Sequence, residues 1–173
     1  MTSGSRWASG GRGVLNGLVG GWQISGIVQA RSGGALIVTQ PSGIANSRPD
    51  VVSGVDLVVA NWKDTCAASG CNYLDTAGFV RVPVSSVTNA TLRPGTFMPA
   101  MVRGPGDKNL HATLAKSFPL GSHTRLQVRA EAFNLLNWEN YNNPQTNMNN
   151  ADFGRISGAG RPRVFQFGAR LTF

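Results

Sequence analysis

The amino-acid sequence predicts an all-β fold: an antiparallel up-and-down transmembrane β-barrel segment of about four long strands with long extracellular loops, forming an incomplete barrel. Three observations carry that expectation. Apolar and polar residues alternate with a period of two in four separate stretches. The connections between those stretches are short and long in turn. The longest connection, residues 41–105, is too long and too irregular for a compact soluble domain.

The first strand lies in "GWQISGIVQARSG", residues 21–33. Trp22, Ile24, Gly26, Val28 and Ala30 fall on one face, and Gln23, Ser25, Ile27, Gln29 and Arg31 on the other. The pattern predicts a break at Gly33-Gly34 and a continuation of the strand into "ALIVTQ". Residues 41–105 then read as a loop with minor local structure. Pro41, Pro49, Pro83, Pro94, Pro99 and Pro105 interrupt it, and its apolar pieces, such as "VDLVVA" and "GFVRVPV", are short.

A second strand follows in residues 107–118. Leu110, Ala112, Leu114 and Phe118 share its apolar face, with Lys116 the exception. "PLGSH", residues 119–123, is a tight turn, and the third strand starts at once in "TRLQVRAEAFNLLN", residues 124–137. The helix formers in "RAEAFNLL" raise a helical alternative. Strict alternation over 125–132 decides for a strand: Leu126, Val128, Ala130 and Ala132 oppose Arg125, Gln127, Arg129 and Glu131. Residues 138–162 form a second long loop, rich in Asn, whose Asp/Asn spacing lacks the Gly and closing Glu of a calcium-binding EF-hand loop. The last strand is "RVFQFGARLTF", with Phe165, Phe167, Ala169, Leu171 and Phe173 on one face.

In an up-and-down sheet alternate connections lie at opposite ends. Both long loops therefore fall at one end and the 119–123 turn at the other, the layout of a barrel with short periplasmic turns and long extracellular loops. One face of each strand suits lipid, and the other, with Arg125, Gln127, Arg129 and Glu131, suits a watery lumen. Trp22, Phe118, Phe165 and Phe173 stand toward strand ends, where aromatic girdles lie. Arg125 and Arg129 suit an anionic solute or ordinary ion pairing within the wall, with Glu131 as a partner.

Composition excludes several classes. Lys and Arg outnumber Asp and Glu by 16 to 8, a net charge of +8. The basic residues are scattered, with no Lys/Arg run and no RNA-binding aromatic motif, so nucleic acid is not the expected partner. No nucleophile-elbow, zinc-protease or P-loop motif occurs, so neither catalysis nor a cofactor is expected. "GGRGVLNG" has glycines without the dinucleotide-binding spacing. His111 and His123 stand 12 residues apart without a Cys or Asp partner in sequence, and read as lumen or interface residues. Cys66 and Cys71, in a C-x4-C spacing with no second pair, are too few for a zinc site. They read as a small loop disulfide, which needs an oxidising compartment; two free thiols are the alternative.

The final "QFGARLTF" resembles the C-terminal assembly signal of outer-membrane β-barrel proteins, with Gln166, Gly168, Leu171 and Phe173 in its four defined places. Residues 13–40 and 103–173, through "LNGLVGGWQISGIVQARSGG", "MVRGPGDKNLHATLAKSFPLG", "RLQVRAEAFNLLN" and "DFGRISGAGRPRVFQFGARLTF", resemble the end of TonB-dependent receptors of the Oar-like subgroup, which carries a carboxypeptidase-regulatory-like domain. The resemblance implies a place in the outer membrane of a Gram-negative bacterium and a part in taking up a large solute of siderophore, cobalamin or glycan type. It implies as partners the lipid, the rest of the barrel with its plug, the barrel-assembly machinery and, through the plug, TonB. Residues 1–173 then correspond to the C-terminal part of the barrel, with plug and earlier strands absent, and "RWASGGRGVLNGL" fits a periplasmic turn.

An isolated four-stranded piece has two open edges. At about 1–3 kcal/mol for each unsatisfied backbone group, a ten-residue edge in lipid costs on the order of 10–30 kcal/mol. That exceeds the ~5–15 kcal/mol by which a whole domain is stable. The chain is therefore expected to need the rest of a barrel or further copies of itself. A small self-assembled pore or adhesin, and a soluble secreted β-sandwich binding glycans or anions, are the alternatives.

Overall fold

The computed structural model describes residues 20–42 and 47–173. The "RWASGGRGVLNGL" turn lies outside them. The chain divides into two compact units.

The first unit takes in the chain up to Gln29 together with Asn109–Trp138 and Arg161–Phe173. It is built on a sheet of four long strands: β1 (Trp22–Arg31), β5 (Asp107–Pro119), β6 (Arg125–Phe133) and β8 (Val164–Thr172), in that order. Three further strands, β2 (Asp50–Val51), β3 (Cys71–Asn72) and β4 (Phe79–Val80), lie between β1 and β5 in the chain, and β7 (Arg155–Ile156) lies between β6 and β8. The sheet is all neighbour-to-neighbour, as an up-and-down barrel wall requires.

Its register matches the predicted faces. Phe118, Leu126 and Leu171 form one cross-strand row, Leu114, Ala130 and Phe167 another, and Ala112, Ala132 and Phe165 a third. Between them run the polar rows: Ser117, Gln127 and Arg170; then Ala115, Arg129 and Gly168; then Thr113, Glu131 and Gln166. A slip of one residue in any strand would put its whole apolar set on the polar face, so the pattern pins the register. At the β1 edge, the Ser117 amide donates to the Gly21 carbonyl at 3.0 Å. Gly21 has φ +74°, and a Cβ there would stand 2.8 Å from the Ser117 carbonyl oxygen, so only glycine suits the position.

The third strand is shorter than the 124–137 stretch expected. β6 stops at Phe133 because Asn134 and Asn137 take the left-handed conformation, φ 52° and 51°. Asn134 is buried and its amide replaces the lost ladder: Nδ2 donates to the Trp138 carbonyl at 2.9 Å and Oδ1 accepts from the Trp138 N–H at 3.0 Å. Asn tolerates this backbone better than other non-glycine residues.

The second unit comprises Ala30–Lys108 and Glu139–Gly160. Among the described residues, 41–105 and 138–162 hold only two-residue strands and short 3-10 turns, the minor local structure expected of the first, and the addition to that expectation is that the two fold together. β2 pairs with β4, and β3 from the first loop pairs with β7 from the second, Cys71 opposite Ile156 and Asn72 opposite Arg155. One core joins Leu36, Val38, Tyr73, Leu74, Phe79, Phe97, Val102 and Ile156. "ALIVTQ" is corrected: it does not continue β1, and it makes only isolated bridges, Ala35 to Arg103 and Thr39 to Asn147. At Gly33 a Cβ would lie 1.7 Å from the Gly104 carbonyl oxygen, so the backbones touch and the chain leaves the strand. Leu36, Val38 and Gln40 are buried instead.

Cys66 and Cys71 are joined in a disulfide that ties a 3-10 turn (Trp62–Thr65) to β3. Closing so short a loop, with a sequence separation of 5, removes unfolded-state entropy worth about 2 kcal/mol. The double substitution Cys66→Ala, Cys71→Ala should lower the stability of this unit by about that amount. Guanidinium unfolding followed by near-ultraviolet circular dichroism measures it, and an unchanged midpoint would show that the bond is not a staple.

Candidate functional site

The candidate site is the four-stranded sheet itself, with two faces of opposite chemistry. On the apolar side, β1 and β8 are exposed along their whole length, with Ile24 at 79% and Phe167 at 76% of full accessibility. A continuous apolar face of this kind needs an apolar cover. Lys116, the exception in the pattern, is accommodated at the end nearest the 119–123 turn. Its ammonium lies 4.9 Å from the Trp22 ring centre and 5.6 Å from that of Phe118, and it donates to the Gly20 carbonyl. A lysine whose stem lies along apolar surface with its head among aromatic rings suits the boundary between hydrocarbon and water.

The polar side gathers the predicted residues. Arg125, Gln127, Arg129 and Glu131 stand in line on β6, and Arg129 Nε lies 3.5 Å from Glu131 Oε1. The register adds Arg170 directly opposite Gln127. Arg170 was absent from the predicted set of lumen residues, although the alternation of the last strand already put it on the polar face. The four residues of the terminal motif divide between the faces. Gln166 and Gly168 stand opposite Glu131 and Arg129 on the polar side, whereas Leu171 meets Leu126 on the apolar side. Phe173 follows β8 and is 95% exposed.

The two histidines are separated by the fold. His111 Nδ1 accepts from the Asn134 N–H at 3.2 Å and its ring packs 5.7 Å from Phe133, whereas His123 lies in the short turn. Among the described residues no group of three or more His, Cys, Asp or Glu side chains could hold a metal ion.

In the second unit a cleft of about 690 Å³ is lined by residues including Gln40, Arg81, Val82 and Asn89. Its polar side chains are largely engaged. Gln40 bonds both the N–H and the carbonyl of Val82, each at 2.7 Å, and Arg81 Nη1 donates to Asn149 Oδ1 at 2.7 Å. Elsewhere in this unit, Trp62 packs edge-on against Tyr73 and Tyr141, and the Tyr141 hydroxyl donates to Glu139, which raises the tyrosine pKa.

A sheet with one apolar and one polar face, neighbour-ordered strands and unequal connections defines the wall of a membrane-spanning β-barrel, here an incomplete one. The family described as "Outer membrane beta barrel domain" matches residues 1–166, and the chain belongs to it. That membership places the protein in the outer membrane of a Gram-negative bacterium, in contact with its lipid. The match ends at Gln166, so Gly168, Leu171 and Phe173 lie beyond it. No curated protein sequence and no solved structure matches the chain.

Outside the spanning strands, Asp50 gives a pH-dependent contribution. Its carboxylate accepts from Arg93 Nη1 at 2.8 Å, from Arg93 Nη2 at 2.5 Å and from the Thr96 N–H at 3.1 Å. The Arg93 hydrogen bonds are the main cause holding its pKa below the ordinary 3.8. A depressed carboxylate stabilises the folded state above its unfolded value, and the contribution disappears as pH falls through the folded value. The second unit should therefore weaken below about pH 4, and Asp50→Asn should flatten that part of the profile. Thermal unfolding across this range reads the effect, and an unaltered slope in the variant would assign the acid sensitivity elsewhere.

Proposed function

We propose that this chain forms part of the barrel wall and the extracellular loops of a TonB-dependent receptor that takes up a large solute of siderophore, cobalamin or glycan type. The observation that carries the reading is the asymmetry of the connections. Both long ones, 32–106 and 134–163, join strands at the same end of the sheet, and the single short one joins them at the other. The resemblance of residues 13–40 and 103–173 to the end of such receptors supports it. In this reading the unit built from both long loops is extracellular, and the Arg125–Glu131 face lines the lumen. Energy from the inner membrane reaches the barrel through TonB and a plug. The chain itself performs no catalysis.

Gln166, Gly168, Leu171 and Phe173 are then the signal read by the barrel-assembly machinery. Removal of Phe173 should sharply reduce the heat-modifiable form of the protein in outer-membrane fractions. Unchanged heat-modifiable protein would remove the aromatic tip from the assembly role.

The uptake reading is tested by deleting the gene and measuring accumulation of radiolabelled ferric siderophores, cobalamin and oligosaccharides, each with and without TonB. Loss of at least one TonB-dependent uptake is expected. If every uptake persists, or the one that is lost never depended on TonB, the receptor reading fails.

A further inference from the structure

The polar face of β6 and β8 is electrically unbalanced. Arg125, Arg129 and Arg170 share it with one carboxylate, Glu131, which is 3.5 Å from Arg129. Arg125 and Arg170 are exposed and form no ion pair or side-chain hydrogen bond among the described residues. Arg170 stands directly opposite Gln127, so Arg125 and Arg129, two residues to either side of Gln127, are its diagonal neighbours. Diagonal positions on one face of an antiparallel pair lie about 7–8 Å apart, within reach of long side chains.

Gln127 stands between Arg125 and Arg129 on β6 and opposite Arg170, and the positions beside Arg129 are small. The row through Arg129 has Ala115 on one side and Gly168 on the other, and a Cβ at Gly168 would meet nothing within 4 Å. The row through Arg170 supplies two neutral hydrogen-bonding side chains, Gln127 and Ser117. The register therefore groups three arginines around Gln127, with Ser117 beside it and open space at Gly168. Glu131 offsets Arg129, but Arg125 and Arg170 have no carboxylate partner among the described residues and repel one another unless an anion lies between them. The planar fork of arginine matches the oxygens of phosphate and carboxylate in bidentate geometry, and rings of such groups line anion-selective pores.

We propose that Arg125, Arg129 and Arg170, with Gln127 and Ser117, form a binding site for the phosphate or carboxylate group of an anionic solute. The site deepens the uptake reading by giving the chemical class of the solute, and it rests on that reading only for its physiological use. It requires only the β5–β6–β8 register.

The test is calorimetric titration of the full chain, refolded in zwitterionic detergent micelles at constant ionic strength, with inorganic phosphate, citrate and D-glucose in turn. Phosphate and citrate separate the two sources of oxyanion, and binding of either supports the site. Saturable binding in the millimolar range is expected for one or both, with none for glucose. Arg125→Gln and Arg170→Gln should each weaken binding by about tenfold, the scale of a hydrogen bond to a charged group. Arg161→Gln, a charge removed outside this cluster, should change it less than about twofold. Circular dichroism and heat-modifiable migration confirm that each variant is folded.

Absence of anion binding to folded protein overturns the site, as does an equal loss in Arg161→Gln, which would show attraction to net charge alone. Anion binding without any loss of TonB-dependent uptake in the deletion strain would overturn the uptake reading and leave the site standing.

Discussion

A strand in hydrocarbon has nowhere to place its backbone N–H and C=O groups except on another strand. That constraint governs the sheet of this protein. It requires long strands with continuous pairing, and β5, β6 and β8 pair without a bulge from the short turn to the long connections. It also divides the side chains by row, with Lys116 in the row of Val128 and Ala169 as an exception. The rows Leu114–Ala130–Phe167 and Thr113–Glu131–Gln166 show the division on adjacent positions of the same strands. Among the described residues β1 and β8 each have one neighbour, so the same constraint demands further strands at both edges.

The unit formed by the long connections obeys a different physics. It has its own hydrophobic core, with Val38 and Phe97 fully buried, and polar contacts that replace regular ladders. Gln40 imitates a β-bridge by bonding both backbone groups of Val82. The disulfide and the β3–β7 pair each fix a short segment that could not hold its conformation alone. Long connections that stand in water must be soluble and still keep a defined surface. A packed core with short strands meets both demands.

The four long strands were legible in the sequence because a membrane sheet shows its period in every residue. The polar face was legible for the same reason. The extent of β6 was misread, since "NLLN" continues the apolar character and only the left-handed backbone of Asn134 and Asn137 ends the strand. The core of the second unit was illegible for a plainer reason. Its members come from pieces such as "ALIVTQ", "GFVRV" and "RISG", each giving one to three buried side chains, too few to display any period. The partnership of Cys71 with Ile156 spans 85 positions, and nothing local announces it. Arg170 was visible as a polar-face residue, but its grouping with Arg125 and Arg129 required the cross-strand register.

The division of the sheet into a lipid face and a water face is measured most directly by spin labels placed one at a time at residues 165–170 of β8. The protein would be reconstituted in bilayers, in the Cys66→Ala, Cys71→Ala background. Collision with oxygen, which concentrates in hydrocarbon, should peak at Phe165, Phe167 and Ala169. Collision with a polar nickel chelate should peak at Gln166, Gly168 and Arg170. Equal exposure of both sets to the nickel chelate, or a reversal of the two, would contradict the account.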